Sequence, residues 1–100
     1  MKDLKALYII VNHGFSSEII DIARSCGATG LTVLSGRGSV EKPKTILGIT
    51  IDTEKEILLS VTEKDIAVKI MEEVKEKAGV GTPAHGLCFF VPVEMSTFSI

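Results

Sequence analysis

"LKALYIIV", from Leu4 to Val11, is a strand-forming run whose apolar residues do not choose a side. Alternate side chains of an extended chain point to opposite faces. Ala6, Tyr8 and Ile10 therefore share one face, and Leu7, Ile9 and Val11 share the other. A strand greasy on both faces has to be covered on both, and what supplies the two covers decides the fold.

"NHGF" (12–15) breaks the strand, and "SSEIIDIARSCG" after it predicts a helix. Ser16 or Ser17 can cap it, Glu18 suits the positive end of its dipole, and Gly27 sits where it stops. Ile19, Ile22, Ala23 and Cys26 form one stripe at helical spacing. "GLTVLSG" (30–36) predicts a second strand, and "RGSVEKPKT" a polar loop in which Pro43 and two glycines deny regular structure. "ILGITID" and "EILLSV" are strand-like, separated by "TEK", and read as one long irregular strand or a small hairpin. Thr62 then opens a second helix, in a relation to Asp65 that resembles a capping box. Ile66, Ile70, Met71, Val74 and Ala78 make its buried stripe, while Lys69, Glu73 and Lys77 pair at i, i+4 on its wet side. "GVGTPAHG" (79–86) leads into a final strand, "LCFFV".

This order predicts an α+β, ferredoxin-like βαββαβ domain over residues 1–100, an antiparallel four-stranded sheet with both helices on one face. Two helices cover one face only. The other should alternate toward polar residues and does not: "EILLSV" offers Ile57, Leu59 and Val61 on one face and Leu58 on the other, and "LCFFV" has no polar side chain. At about 25 cal/mol per Å² of apolar area, leaving these wet forfeits several kcal/mol, against a total stability of roughly 5–15 kcal/mol. Further copies of the chain are the expected cover. The competing arrangement folds "ILGITID" or "EMSTFSI" over the face.

The 100 residues carry a formal charge of −2, with 45% apolar and 24% charged side chains. That profile fits one globular domain and argues against a nucleic-acid binder, which shows a basic excess. No apolar run reaches the roughly 20 residues of a membrane span, and "MKDLKALYIIVNHG" reads as a strand rather than a targeting signal. Two cysteines, Cys26 and Cys88, are too few for a disulfide framework and fit core positions in a reducing cytoplasm.

Four stretches could carry chemistry. "GVGTPAHG" follows a helix and precedes a strand, the reverse of a dinucleotide fingerprint, and lacks the Gly-Lys-Ser/Thr ending of a P-loop. By itself it reads as a turn needing close backbone approach. His85 and Cys88 make a poor metal pair, since zinc needs three or four ligands and His13 and Cys26 fall at no motif spacing. "NHGFSSE" puts Asn12, His13 and Gly14 before a helix N-terminus, an anion site of the kind acylphosphatases use, but without an arginine. In "SGRGSVEKPKT", Arg37, Lys42 and Lys44 face only Glu41, and Gly36 and Gly38 flank the arginine. Backbone amides there can form a nest beside a guanidinium, which favours an anionic ligand or an acidic partner surface.

"GATGLTVLSGRGSV", "ILGITIDTEKEILLSVTEKD" and "AGVGTPAHGLCFFVPVE", in this order, resemble the PII signalling family, in particular its compact PII-like members. The resemblance spans nearly the whole chain. It implies a cytoplasmic, non-enzymatic homotrimer with sheets facing inward, binding an adenine nucleotide (ATP, ADP or AMP, with magnesium as a possible companion) between subunits. No tightly bound cofactor or metal is implied. "GRGSVEKPKT" would be a shortened T-loop and "GVGTPAHG" the B-loop. Carried over by position, Thr32 would lie near the adenine, and Gly36, Arg37 and Gly38 at the loop base. Gly81, Thr82, Ala84, His85 and Gly86 would surround the phosphates. Ligand binding would reorder residues 37–45, whose Arg37, Glu41, Lys42 and Lys44 would meet a protein target such as a transporter or enzyme. Nitrogen regulation is the family's usual setting. His85 and Leu87 replace the B-loop's acidic residue and lysine, and "EMSTFSI" offers no arginine. The glutamine and tyrosine of the long T-loop are missing too, which points away from 2-oxoglutarate sensing and uridylylation and toward a ligand with fewer phosphates. A CutA-like metal-binding trimer and an acylphosphatase-like enzyme are the alternatives on this topology.

Overall fold

A four-stranded antiparallel sheet with strand order β2-β5-β1-β6 carries both helices on one face. The computed structural model describes residues 3–37, 45–46, 49–50 and 54–97. The elements are β1 (Leu4–Asn12), α1 (Ser16–Ser25), β2 (Thr32–Arg37), β3 (Thr45–Ile46), β4 (Ile49–Thr50), β5 (Glu54–Glu63), α2 (Lys64–Ala78) and β6 (Leu87–Pro92). This is the expected ferredoxin-like arrangement.

The two-sided reading of β1 holds residue by residue. Leu7, Ile9 and Val11 point under the helices with no exposure, and Leu58 joins them from β5. Ile19, Ile22 and Ala23 of α1 and Ala67, Ile70, Val74 and Ala78 of α2 close over them as one core. Each large side chain buried there contributes roughly 1.5–3 kcal/mol. The sequence reading named most of these but missed Ala67, and gave Ile66 and Met71 more burial than they have.

On the opposite face Tyr8 is registered between Leu59 and Phe89, and Ile10 between Ile57 and Leu87. Leu34 on β2 lies opposite Ile57 and extends the patch to that edge. Leu34, Leu87, Phe89 and Val91 are 49%, 52%, 40% and 42% exposed in the single chain. Among the described residues, neither candidate cover shields them. Glu94–Thr97 of the C-terminal segment are exposed, and β3 and β4 pair with each other in a separate two-stranded sheet.

Three local expectations are corrected. The described residues of "ILGITID" pair with one another and with Thr45, not with "EILLSV". β5 instead starts two residues before "EILLSV", taking in Glu54 and Lys55 of the expected separator "TEK", because the sheet end offers them polar partners. Thr62 is a buried strand residue opposite Lys5, and α2 starts two residues later, after Glu63. Thr serves equally in a strand and at a cap, and here the strand wins because Thr62 falls in the inward-facing register of Leu58 and Ser60. Neither Ser16 nor Ser17 caps α1; Phe15 holds that position, while Ser16 bonds to Glu56. At the other end of α1, Gly27 adopts φ +106° just past the helix, as expected. The expected Glu73–Lys77 pair forms at 2.8 Å.

Candidate binding site

Antiparallel pairing brings four chain segments to one end of the sheet: the end of β2, the start of β5, the end of β1 and the loop 79–86 before β6. A cleft of about 450 Å³ opens there, lined by His13, Ser35, Gly36, Arg37, Glu54 and Lys55. Two permanent cations, Arg37 and Lys55, face one carboxylate, so the cleft favours an anionic guest. A Cβ on Gly36 would stand 3.1 Å from Ile57 Cδ1, a tight contact that the isoleucine would have to yield to. Gly38, Glu41, Lys42 and Lys44, the remaining residues expected at the loop base and partner surface, lie outside the described residues.

Loop 79–86 is tightly self-bonded. The Thr82 amide and hydroxyl both donate to the Gly79 carbonyl, at 3.0 and 2.8 Å, and the His85 amide donates to Thr82 O at 3.0 Å. His85 sits at φ +49°, an uncommon conformation for a residue with a side chain. Its Nδ1 lies 2.8 Å from the Val80 carbonyl. A carbonyl can only accept, so Nδ1 carries the proton and a neutral ring leaves Nε2 as an outward acceptor.

The glycines divide by cause. A Cβ on Gly79 would meet Lys75 O at 2.6 Å, and one on Gly86 would run into the Ala78 carbonyl oxygen. Both therefore serve the packing of the loop against the end of α2, whereas Gly81 has open space around it. Ala84 is 2% exposed and belongs to the core, so of this residue only the backbone is left to face a ligand, and its carbonyl already accepts from the Asn12 amide at 2.8 Å. Gly81 and Gly86 line a second cleft with Met71, Val80 and Leu87. Thr32 lies in a third, with Thr29, Gly30, Leu59 and Val61. It is five residues, about 17 Å, up the edge strand from Arg37. One protomer thus holds the expected ligand residues in three separate places.

Asn12 and Gly14, two residues of the candidate anion site before α1, tie this end together instead. Asn12 Nδ2 donates to Pro83 O at 2.9 Å, and Asn12 Oδ1 accepts from Lys55 Nζ at 2.5 Å. The Gly14 amide donates to Glu56 Oε1 at 2.7 Å, and the Ser16 amide and hydroxyl also serve that carboxylate. These hydrogen bonds, Gly14 first, hold the Glu56 carboxyl below its ordinary range despite some desolvation; nearby His13 adds to the effect. The anion site before α1 is consequently filled by the protein's own carboxylate, and Asn12 is engaged on both ends of its amide, so neither is available as an acylphosphatase-like centre. The sequence signal that could have revealed Glu56 is its place in an otherwise apolar strand. Cys88 faces the core, and burial pushes its thiol up to about 11. Among the described residues no three His, Cys, Asp or Glu side chains converge as a metal site would require.

The chain has the fold of the PII signalling proteins. It matches a PII-like signalling protein of Thermus thermophilus with a TM-score of 0.71 at 15% identity, over 92% of this chain and 88% of that one. It matches B. subtilis GlnK with a TM-score of 0.70 at 19% identity, over 92% and 86% of the two chains. The GlnK–ATP complex from the same organism gives 0.69 at 18%, over 92% and 85%. No family model matches the sequence, and no curated protein matches it significantly. Among the described residues no helix is long and apolar enough to cross a membrane.

Proposed function

We propose that this chain is a PII-like regulatory protein. It assembles as a homotrimer, binds an adenine nucleotide between copies, and signals through the segment after Arg37 to a protein target. The observation that carries the reading is the apolar sheet face running from Leu34 on one edge to Phe89 on the other. Copies meeting on that face bring sheet edges together. Residues that one protomer keeps in separate places, Thr32, the Gly36–Arg37 cleft and loop 79–86, can then meet along the seam between copies. The fold shared with a GlnK–ATP complex supports a nucleotide as the guest, and the Arg37–Lys55 cleft supports an anionic one.

Binding acts here by population: a nucleotide that contacts the loop base in only one loop state shifts the loop toward that state, with no covalent step. The role is regulatory rather than enzymatic, and nitrogen regulation in the cytoplasm is the setting that likeness to GlnK supports. The test is a thermal-shift titration with ATP, ADP and AMP, with and without Mg²⁺ and 2-oxoglutarate. A nucleotide-selective rise in Tm is expected, with affinity falling about ten- to a hundredfold in Arg37→Ala, the worth of one charge-assisted hydrogen bond of roughly 1.5–3 kcal/mol. Silence across all nucleotides would overturn the reading.

A further inference from the structure

The turn 12–16 stands between the two segments on which the proposed function depends. Toward β5 the His13 amide donates to Glu54 O at 3.1 Å, the Gly14 amide to Glu56, and Asn12 Oδ1 receives the Lys55 ammonium. Toward loop 79–86 the Asn12 amide donates to Ala84 O, and Asn12 Nδ2 to Pro83 O. The Asn12 side chain thus bonds to both sides at once. A carboxamide has one accepting oxygen and one donating nitrogen, and here each meets its complement. Turned over, the oxygen would face the Pro83 carbonyl and the NH₂ would face an ammonium, two repulsive contacts in place of two bonds. Lys55 therefore fixes the orientation in which Asn12 grips Pro83.

We propose that Asn12 couples the start of β5 to loop 79–86, so that a displacement of Lys55 is felt at Pro83 and the reverse. This rests on reading 79–86 as the effector loop and the segment leading into β5 as the signalling loop. Lys55 is the second residue of β5, at the end of that segment. The coupling is reciprocal: an effector that stiffens loop 79–86 also holds Lys55, and a target that pulls on the segment loosens the effector loop. Its physical basis is a pair of bonds sharing one rigid amide plane, not nearness alone.

Hydrogen exchange on the nucleotide-free protein tests it, comparing wild type with Asn12→Ala, Asn12→Asp, Lys55→Met and Lys55→Arg. The bonded amides of Thr82, His85 and Gly86 report the loop. Lys55→Met, which touches none of them, is expected to speed their exchange roughly fivefold or more, the low end of typical coupling. Lys55→Arg is expected to restore the wild-type rate. Asn12→Asp, able to accept from Lys55 but not to donate to Pro83, is expected to match Lys55→Met. Adding Lys55→Met to Asn12→Ala should change nothing further. Wild-type loop exchange in Lys55→Met, or additive effects in the double variant, would overturn the coupling. Should Asn12→Ala not fold, the Lys55 pair still decides. No nucleotide is present, so failure here leaves the binding reading to its own titration.

Discussion

Glu56 shows how one side chain can settle what a loop does. Its carboxylate takes the donors that a phosphate would use before α1, which turns a candidate anion site into a structural joint. Because its folded pKa lies below the ordinary carboxylate value of 4.5, the joint stabilises the fold above that pH and is lost as pH falls through the lowered value. Glu56→Gln is expected to cost about 1 kcal/mol at pH 7, a charge-assisted bond discounted for its partly exposed setting. Urea unfolding should show this gap closing as pH falls from 4.5 through the lowered value, since protonated Glu56 resembles Gln. Little of the joint was legible in the sequence. Glu54 and Lys55 look like a turn, and Glu56 like a plain polar strand end, because their partners are about 40 residues away, in the 12–16 turn.

At the scale of elements, loop 79–86 keeps its glycines for two different reasons, and substitution should separate them. Gly86→Ala drives a methyl into the Ala78 carbonyl and is expected to cost about 2–3 kcal/mol, as overpacking typically does. Gly81→Ala has room and no unusual φ, so its stability should stay within about 0.5 kcal/mol of wild type. Thermal unfolding of the two variants checks both. β1 and β5 were readable because alternation survives translation into register: Leu7 with Ser60 inside, Tyr8 with Leu59 outside. The start of α2 was not, since Thr62 satisfies a strand and a cap equally well. The glycine loop was readable as a turn from its composition, but which glycine meets α2 depends on where the helix ends.

For the whole molecule, the open apolar face makes the lone chain incomplete, and the copies proposed to cover it also bring the separated ligand residues together. Phe89→Lys places an ammonium on that face, along its β6 edge. Sedimentation is expected to find the wild type at three times its 10.7 kDa protomer mass and the variant at one. A wild-type protein sedimenting as a single protomer would remove the seam in which the nucleotide is placed. The need for a second cover was visible in residues 4–11 alone, whereas the separation of Thr32 from Arg37 along the edge strand emerged only with the register. One contact on this face has a practical use. Tyr8 is the chain's sole tyrosine, there is no tryptophan, and its ring lies stacked on Phe89 with centroids 5.1 Å apart. Excited above the phenylalanine band, the protein therefore emits from a single fluorophore on the face proposed to meet other copies, and a dilution series can follow dissociation optically without a dye.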